Sequence, residues 1–588
     1  MDRIMELHPN PAFARRDWFS LDGVWRIEHE GRTAEIRVPF PVGSDASGVD
    51  FPSEGKFIYS RKFWLEEISE ESRYFINVGA ADYASELRIN GIFLGRHVGG
   101  YASFRFDATE ALNPGDNEIE IIVRDSRSPG QVRGKQTFLK KPFLVWYPGY
   151  AGVWQSVWLE RTGRAWIESV KVRADFGSRR ILVSANAAHA DGITKIADRG
   201  ARLVLEIVSP NGTRFSREAA ACEGNSFACD IPLDAIGECR WSPDNPNLYR
   251  ITFHIVAGAG TDACYLDAVD SYFGLRRVEA RDGRIFLNGE KLFLRMALVQ
   301  GYYPGGGYTP ADPEAVENDI TALKRMGYNG ARIHEKIESP RFHFLCDKLG
   351  ILTTMEMPSF YWPSRRAFLA YEYELREIVA RDAMHPSSIA WVLFNETWGM
   401  WGMYNEKSAT RRFMEKMIAL VRDLDPDRLV IENSGWEHFD TDIVDFHHYL
   451  GSAELAASVY GKFKERDPEL TWRFSLRKAL GIYIGKGITK TTKTVFLNQA
   501  AEMAAYERKT PWLLSEYGGF GWYMTSEAGS VEDKIERYTN DIVKSEVFTG
   551  YCFTQLYDVG KETNGLLTAD RRSKVNAQRM RRINGRDD

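Results

Sequence analysis

Two short hydrophobic segments in the C-terminal half of the chain each end on a single glutamate. Residues 389–394 (Ile-Ala-Trp-Val-Leu-Phe) lead into Asn395 and Glu396, and residues 512–515 (Trp-Leu-Leu-Ser) lead into Glu516. Hydrophobic runs of this length are typical of parallel strands that are buried on both faces. Because a carboxylate has no hydrophobic reason to follow such a strand, we expect both glutamates at the C-terminal face of a (β/α)8 barrel. Taken alone, Asn395 and Glu396 would equally suit the N-cap and first turn of a helix.

The sequence after Gly289 alternates between strand-like runs and helix-like stretches, which is the pattern of parallel βα units. Amphipathic stretches at 312–326 and 410–424 are predicted helices. The long segment at about 451–508 is predicted to be a helical insertion near the mouth of the barrel, and its many Lys and Arg residues a solvated face. The strand count matches a barrel, with strands predicted at 292–298, 329–334, 351–357, 389–395, 429–434, 443–449, 512–518 and 550–556.

The N-terminal half has a different sequence pattern, in which short runs of alternating hydrophobic and polar residues are separated by turn residues. Residues 18–161 contain runs such as Glu-Ile-Glu-Ile-Ile-Val at 118–123, and residues 165–278 contain strands with turns such as Ser-Pro-Asn-Gly at 209–212. Such spacing predicts two successive β-sandwiches.

Composition restricts the classes of function. A chain of 588 residues with a net charge of −5 has no basic excess, so nucleic acid is not an expected partner. Residues 1–16 contain no signal-peptide core, and no stretch approaches the ~20 apolar residues of a membrane span, so we expect a cytoplasmic protein. A homo-oligomer is left open.

The cysteines show no metal-ligand spacing and are expected to be buried or incidental thiols. A bridge between Cys222 and Cys229 is the alternative if the protein is exported. The six cysteines are at positions 222, 229, 239, 264, 346 and 552.

Paired carboxylates at strand ends are what glycoside hydrolysis requires, because one protonates the leaving oxygen while the other attacks the anomeric carbon or activates water. With the N-terminal motifs, the chain resembles glycoside hydrolase family 2, the β-galactosidase and β-glucuronidase family. The motifs that carry the resemblance are Asn395-Glu396, Ser515-Glu516-Tyr517-Gly518, Leu-Asp-Gly-Val-Trp at 21–25, Leu-Arg-Ile-Asn-Gly at 87–91, and the stretches 99–107, 150–159, 241–249 and 273–276.

This resemblance implies a jelly-roll domain at 1–163, an immunoglobulin-like sandwich at 164–280 and a catalytic (β/α)8 barrel at 281–588. It implies a retaining exo-β-glycosidase with Glu516 as nucleophile and Glu396 as acid/base. Retention requires the two carboxyl groups to lie ~5–5.5 Å apart, and we expect the pKa of the acid to be raised. Asn395 is expected to bind the substrate.

The predicted second strand ends on Arg332 and His334. A cation beside a carboxylate nucleophile would keep it ionised, and the resemblance fits Arg332 in that role, with a structural ion pair as the alternative. His334 could bind substrate or serve as an ordinary polar rim residue, because the family commonly has its histidine one position later, where this chain has Glu335.

The predicted sixth strand ends on His447-His448-Tyr449. The resemblance implies that Tyr449 hydrogen-bonds the nucleophile, which would orient that carboxylate and temper its charge. His447 is expected to line the pocket. His448 alternates to the other face of the strand and is expected in the barrel wall.

Three departures from the family bear on the sugar. The predicted eighth strand lacks the tryptophan that many relatives place there, so Gln555 or Tyr557 could substitute, or a loop tryptophan from among Trp398, Trp472 and Trp522. Trp146 stands where relatives have an aspartate. Residues 562–565 lack the Asn-x-Lys that glucuronidases use to bind the substrate carboxylate.

With no evident cation for a carboxylate, we expect a neutral sugar and β-galactosidase-like activity. The alternatives are a pentopyranosidase, a β-glucuronidase that uses Lys561 or a lysine from 486–493, and an inactive carbohydrate-binding protein. Glu356 ends the predicted third strand without evident partner ligands, so no metal and no cofactor are expected.

Overall fold

The structure is a computed structural model and describes residues 3–192, 196, 200–258, 264–403, 405–436, 438–449, 453–465, 509–523 and 529–585. Trp472, the lysines at 486–493 and most of the predicted insertion lie outside these residues. Within the described part of the chain, no helix has the length and hydrophobicity needed to cross a membrane. All six cysteines are free thiols, so the alternative of a bridge between Cys222 and Cys229 is wrong for this structure.

The first region consists of antiparallel strands that pack around one hydrophobic core. A six-stranded sheet has the order β3-β2-β4-β10-β7-β8, and a four-stranded sheet has the order β1-β12-β5-β9. In β10, Ile119, Ile121 and Val123 are buried while Glu118 is exposed, as the alternating sequence requires. The strands are β1 Trp18–Ser20, β2 Gly23–His29, β3 Arg32–Val38, β4 Gly55–Leu65, β5 Ser72–Val78, β6 Ala81–Asp82, β7 Ala84–Ile89, β8 Ile92–Val98, β9 Phe104–Asp107, β10 Gly115–Asp125, β11 Gly152–Val153 and β12 Val157–Gly163.

The second region is a seven-stranded antiparallel array in the order β13-β14-β17-β16-β15-β18-β19. A small sheet of β20, β21 and β22 then leads into the barrel. The strands are β13 Ala165–Asp175, β14 Arg180–His189, β15 Arg202–Val208, β16 Arg214–Ala221, β17 Ser226–Pro232, β18 Tyr249–Ala257, β19 Cys264–Phe273, β20 Val278–Arg281, β21 Arg284–Leu287 and β22 Glu290–Leu292.

The third region is an eight-stranded sheet, and all eight predicted barrel strands are present in it. Its order is β27-β26-β25-β24-β23-β30-β29-β28, and the paired neighbours run parallel. Asp442, two residues before β28, donates its backbone N–H to Val430 O of the other end strand, β27, at 2.9 Å. The strands are β23 Leu294–Val299, β24 Gly330–Ile333, β25 Leu352–Glu356, β26 Ser388–Val392, β27 Leu429–Ile431, β28 Val444–His448, β29 Trp512–Gly518 and β30 Gly550–Thr554.

Helices surround the barrel strands and begin at identifiable caps. Ser339 caps the fourth helix by accepting a hydrogen bond from Phe342 N, and Ser530 forms a capping box with Asp533. The predicted helices at 312–326 and 410–424 are α3 and α6. The helices are α1 Arg3–Leu7, α2 Leu233–Ile236, α3 Ala315–Arg325, α4 Pro340–Leu349, α5 Arg365–Asp382, α6 Ala409–Leu424, α7 Ala453–Glu465, α8 Val531–Ser545 and α9 Ala577–Ile583, with single 3-10 turns at Asp45–Ser47 and Thr109–Ala111.

The segment 126–151, between β10 and β11, reaches from the first region onto the barrel. The backbone N–H groups of Arg133 and Gly134 both donate to Ser359 O at 3.0 Å. A Cβ on Gly134 would lie 2.0 Å from Glu335 O, so only glycine allows this approach. Tyr361 OH donates to Gly134 O at 2.5 Å. The barrel mouth is therefore bordered by a part of the N-terminal half.

Candidate active site

The position of Glu516 is set by an irregularity between strands β28 and β29. The register passes from the pair Phe446–Leu514 directly to the pair His447–Glu516, so Ser515 has no partner of its own. Such a bulge changes the direction in which the following side chain points. The Glu516 side chain is buried at the C-terminal end of the barrel, as predicted.

The Glu516 carboxylate is held by two groups. Arg332 Nη1 donates to its Oε1 at 3.0 Å, and the hydroxyl of Tyr449 donates to its Oε2. His447 Nε2 lies 3.4 Å from Oε1. Arg332 and Tyr449 thus occupy the positions predicted for them beside this carboxylate.

Arg332 organises the surrounding groups. Its guanidinium also donates to Glu356 at 2.9 Å, to Asn395 Oδ1 at 2.9 Å and to Ser515 O at 3.1 Å. Burial lowers the pKa of Arg332, but the negative charges of Glu356 and Glu516 outweigh burial and raise it overall. The side chain is therefore a permanent cation beside Glu516.

Glu396 has different partners. His447 Nδ1 lies 2.5 Å from Glu396 Oε1, and Trp398 Nε1 donates to Oε2 at 3.1 Å. Glu396 has a φ of 50°, and Thr397 has a φ of 59°, in a left-handed conformation that non-glycine residues adopt mainly where the surroundings enforce it.

The prediction of a raised pKa for Glu396 is wrong for this arrangement. Burial does raise the pKa, but the hydrogen bond and charge of His447, with smaller contributions from Trp398 and Lys135, lower it to about 2. The pKa of His447 is raised in turn: burial lowers it, but the charge of Glu516 and the hydrogen bond to Glu396 outweigh burial. The proton is therefore held on His447, and the pair titrates as a unit.

The two glutamates are close together. One carboxylate oxygen of Glu396, one of Glu516 and one ring nitrogen of His447 all lie within 4.8 Å of one another. Three such groups could hold a metal ion, but both carboxylates already accept hydrogen bonds from protein groups. The expectation that the protein binds no metal stays a prediction.

The other predicted residues also border this space. His334 Nδ1 lies 3.2 Å from Glu356 Oε1, so Glu356 contacts both His334 and Arg332 instead of being isolated as expected. Gln300 Nε2 donates to Gln555 Oε1 at 2.8 Å. Trp146 is buried, with its ring centroid 5.3 Å from that of Trp398.

His448 points away from the pocket, as predicted. Its Nδ1 lies 2.5 Å from Tyr460 OH, and burial lowers its pKa to about 3. Tyr557, offered as an alternative to Gln555, accepts a hydrogen bond at its hydroxyl from Gly301 N at 2.9 Å and lies under the guanidinium of Arg571.

Sequence reasoning missed three charged residues at the site. Lys135, Glu335 and Glu562 are all buried, and the positive charge of Lys135 acts on Glu335, Glu562 and Glu396. Burial raises the pKa of Glu335 and of Glu562. Lys135 is therefore a cation near the site that the sequence pattern did not indicate. Glu335 was visible as a departure from the family, whereas Lys135 lies in a loop of another region, where no local pattern marks it.

A model of the family described as "Glycosyl hydrolases family 2, TIM barrel domain" matches residues 278–585. The chain belongs to glycosyl hydrolase family 2. A β-galactosidase of Thermoanaerobacter pseudethanolicus is 26% identical over 378 residues, which are 63% of this chain and 47% of that relative.

Solved structures show the same fold across nearly the whole chain. A β-glucuronidase of Bifidobacterium dentium superposes with a TM-score of 0.76 at 18% identity and covers 97% of both chains. A β-galacturonidase of Eisenbergiella tayi superposes with a TM-score of 0.70 at 17% identity and covers 98% of this chain and 97% of that one. The chain spans about half the length of the curated relatives that it matches, such as the Thermoanaerobacter protein.

Proposed function

We propose that this family 2 enzyme is a retaining exo-β-glycosidase in which Glu516 is the nucleophile and Glu396 the acid/base. The observation that carries the proposal is the short separation of the two carboxylates, whose nearest ligand oxygens lie within 4.8 Å. Inverting enzymes leave room for a water between carboxyl groups that are ~6.5–9.5 Å apart, whereas retaining enzymes hold them at ~5–5.5 Å.

The roles follow from the partners of each carboxylate. Arg332 places a permanent positive charge beside Glu516, which attacks the anomeric carbon and forms a glycosyl ester. The bond to the leaving oxygen breaks, and that oxygen takes a proton from Glu396. Glu396 then accepts a proton from water, the water oxygen attacks the anomeric carbon, and the ester bond to Glu516 breaks. Two displacements restore the starting configuration.

Glu396 must be protonated before the first step, yet its pKa is about 2 in the free site. His447 holds a proton 2.5 Å away. We propose that His447 supplies this proton to Glu396. The transfer occurs as the leaving oxygen approaches Glu396 and negative charge grows on that oxygen.

The preferred sugar is proposed to be neutral and galactose-like, with pentopyranosides and glucuronides as the alternatives. Lys135 supplies one positive charge, but Glu335 and Glu562 surround it with two carboxylates, which disfavours a third from a uronic acid. We also propose the assignments of 1–163 as a jelly-roll domain, 164–280 as an immunoglobulin-like domain and 281–588 as the catalytic domain. A cytoplasmic location and a homo-oligomeric state stay predictions.

The test is the stereochemistry of hydrolysis. Proton NMR of nitrophenyl β-galactoside turnover should show the β-anomer of the free sugar first, with later mutarotation. Initial release of the α-anomer would contradict retention. The variant Glu516→Gln should lose turnover on nitrophenyl galactoside, glucuronide and arabinopyranoside alike, and full activity on any of them would remove Glu516 from its role.

A further inference from the structure

Three buried charged residues form a group that the catalytic steps do not use. Lys135, Glu335 and Glu562, here called the charged trio, are 8%, 2% and 1% exposed. They come from the segment 126–151, the end of strand β24 and the loop after strand β30. Among the residues that the structure describes, none of the three lies within 4.0 Å of an opposite charge.

Charges that are buried without an ion pair destabilise a folded protein, and they are usually retained where a ligand completes them. Glu335 Oε1 has no hydrogen-bond donor in the described structure. The Lys135 ammonium lies 5.7 Å from the ring centroid of Tyr147. These groups therefore have hydrogen-bonding capacity that the described residues do not use.

The charged trio faces the same space as the two catalytic glutamates. Glu562 accepts hydrogen bonds from Tyr523 OH and from Gln555 Nε2, each at 3.2 Å. The Tyr523 ring stacks on that of Tyr449 at 4.6 Å, and Tyr449 binds Glu516. On the other side, the backbone of Lys135 follows Gly134, which packs directly against Glu335.

We propose that the charged trio binds the hydroxyl groups of the sugar whose glycosidic bond is cleaved, with the two carboxylates as acceptors and Lys135 as donor. This inference rests on the proposed function and extends it to sugar recognition. Hydroxyl groups both donate and accept hydrogen bonds. Adjacent hydroxyls of a neutral sugar can therefore hydrogen-bond to all three residues at once. A sugar carboxylate would satisfy Lys135 but would donate no hydrogen bond to Glu335 or Glu562 and would add a like charge.

The proposal also accounts for two departures from the family. Glu335 stands where a histidine is common, and Glu562 begins the stretch that lacks the Asn-x-Lys of glucuronidases. In this chain, the residues that would bind an anionic group of the sugar are replaced by the charged trio, in which two of the three residues are hydrogen-bond acceptors. Lys135 makes the sugar site composite, because it is the member supplied by the N-terminal half.

The test pairs side-chain variants with altered substrates. Lys135→Met and Glu562→Gln remove the charge and nearly keep the shape, and Lys140→Met is the control, since Lys140 is exposed on the same segment. Each is assayed on nitrophenyl β-galactoside and on its 2-, 3-, 4- and 6-deoxy analogues. We expect each trio variant to lower kcat/KM on the full sugar by about 10- to 100-fold, the loss of a hydrogen bond to a charged group.

The deoxy analogues separate recognition from structural damage. If a trio residue binds one hydroxyl, its variant and the parent protein should act equally on the analogue that lacks that hydroxyl. A loss of equal size on all four analogues, or no loss on the full sugar, would overturn the proposal. A parent enzyme that prefers nitrophenyl glucuronide, with that preference abolished by Lys135→Met, would also overturn it, because Lys135 would then pair with a carboxylate.

Failure of the proposed function would look different. If the parent protein turns over none of these substrates, calorimetric titration with free galactose still tests the charged trio. Binding by the parent protein and by Lys140→Met, with at least tenfold weaker binding by both trio variants, supports the trio. Equal binding by all four proteins, or binding by none of them, refutes it.

Discussion

One carboxylate oxygen of Glu396 and one of Glu516 lie within 4.8 Å of each other, yet the partners of the two glutamates differ in kind. Glu516 is held by Arg332, whose charge is permanent, and by the hydroxyl of Tyr449. Glu396 is held by His447, whose charge depends on pH, and by the indole N–H of Trp398. Identical carboxylates thus receive different roles from the residues beside them.

In the proposed mechanism, this difference lets one pocket hold a nucleophile beside a permanent cation and still deliver a proton. A guanidinium cannot give up its proton near neutral pH, so Glu516 always lies beside a positive charge. An imidazolium can, so the proton near Glu396 can move. Four variants test this division of roles, starting with the largest expected effect.

The variant Glu396→Gln should separate the two roles by leaving group. We expect kcat/KM to fall by about 10²- to 10⁴-fold on an alkyl glycoside, whose oxygen needs a proton, because general acid catalysis is lost. A dinitrophenyl glycoside has a leaving group that needs no proton. On this substrate the rate of the first displacement, measured as the burst of dinitrophenolate, should fall by less than about tenfold. An equal loss on both substrates would contradict the acid role.

The variant Arg332→Lys should weaken the Glu516 side through geometry, since a lysine cannot reach Glu356, Asn395 and Glu516 together. We expect kcat/KM to fall about 100-fold and the free energy of unfolding to fall by about 3 kcal/mol, measured by urea denaturation. The control is Arg276→Lys, a buried arginine that donates to Pro386 O and Ser388 O at the other end of the barrel. It should lose stability while the folded enzyme keeps its kcat/KM.

The variant Tyr449→Phe removes the hydroxyl that orients Glu516 but keeps the ring that stacks on Tyr523. We expect kcat to fall about tenfold with little change in KM, because a hydrogen bond that positions the nucleophile is worth about 1–1.5 kcal/mol. Tyr551→Phe, which removes a hydrogen bond of 2.5 Å to Asn584, is the matched control and should leave kcat unchanged. A larger effect on KM than on kcat would indicate direct substrate binding by Tyr449.

The variant His447→Gln should change the pH profile more than the maximal rate. In the parent enzyme the pKa of His447 is raised. The pair of His447 and Glu396 therefore keeps its last proton at pH values above the usual pKa of a histidine. Without His447 that proton resides on Glu396, so activity should be lost at a pH lower by about two units, the difference between a histidine and a glutamate.

The neighbouring His448→Gln is the control for that shift. The pKa of His448 is lowered to about 3 by burial, so this histidine is neutral across the range of the assay. Its replacement should leave the profile of kcat/KM against pH in place. An unshifted profile for His447→Gln would mean that the proton of the acid comes from elsewhere.

Much of the fold and of the site could be predicted from the sequence because the signals are local. Buried strands such as β26 are continuous hydrophobic runs, and a polar residue at the end of such a run marks the C-terminal face of the barrel. Glu396 and Glu516 were marked in this way, whereas the positions of Arg332 and Tyr449 beside the nucleophile were implied by the family resemblance.

The sequence could not predict what depends on contacts between distant segments. The low pKa of Glu396 arises from the placement of His447 at 2.5 Å, which no spacing in the chain specifies. Lys135 was missed for the same reason, since its loop reaches the site only through contacts such as that of Gly134 with Glu335. The environment of each residue at an active site is set by tertiary packing, which local sequence patterns do not specify.

The reach of segment 126–151 into the barrel mouth also has a consequence for synthesis. Lys135 leaves the ribosome long before Glu562, on the order of tens of seconds at usual rates of translation. During that interval the loop has no complete barrel to contact, and the proposed sugar site lacks Glu516 and Glu562. The proposed sugar site therefore forms late in synthesis, when the final barrel strand arrives beside a loop that was made near the start.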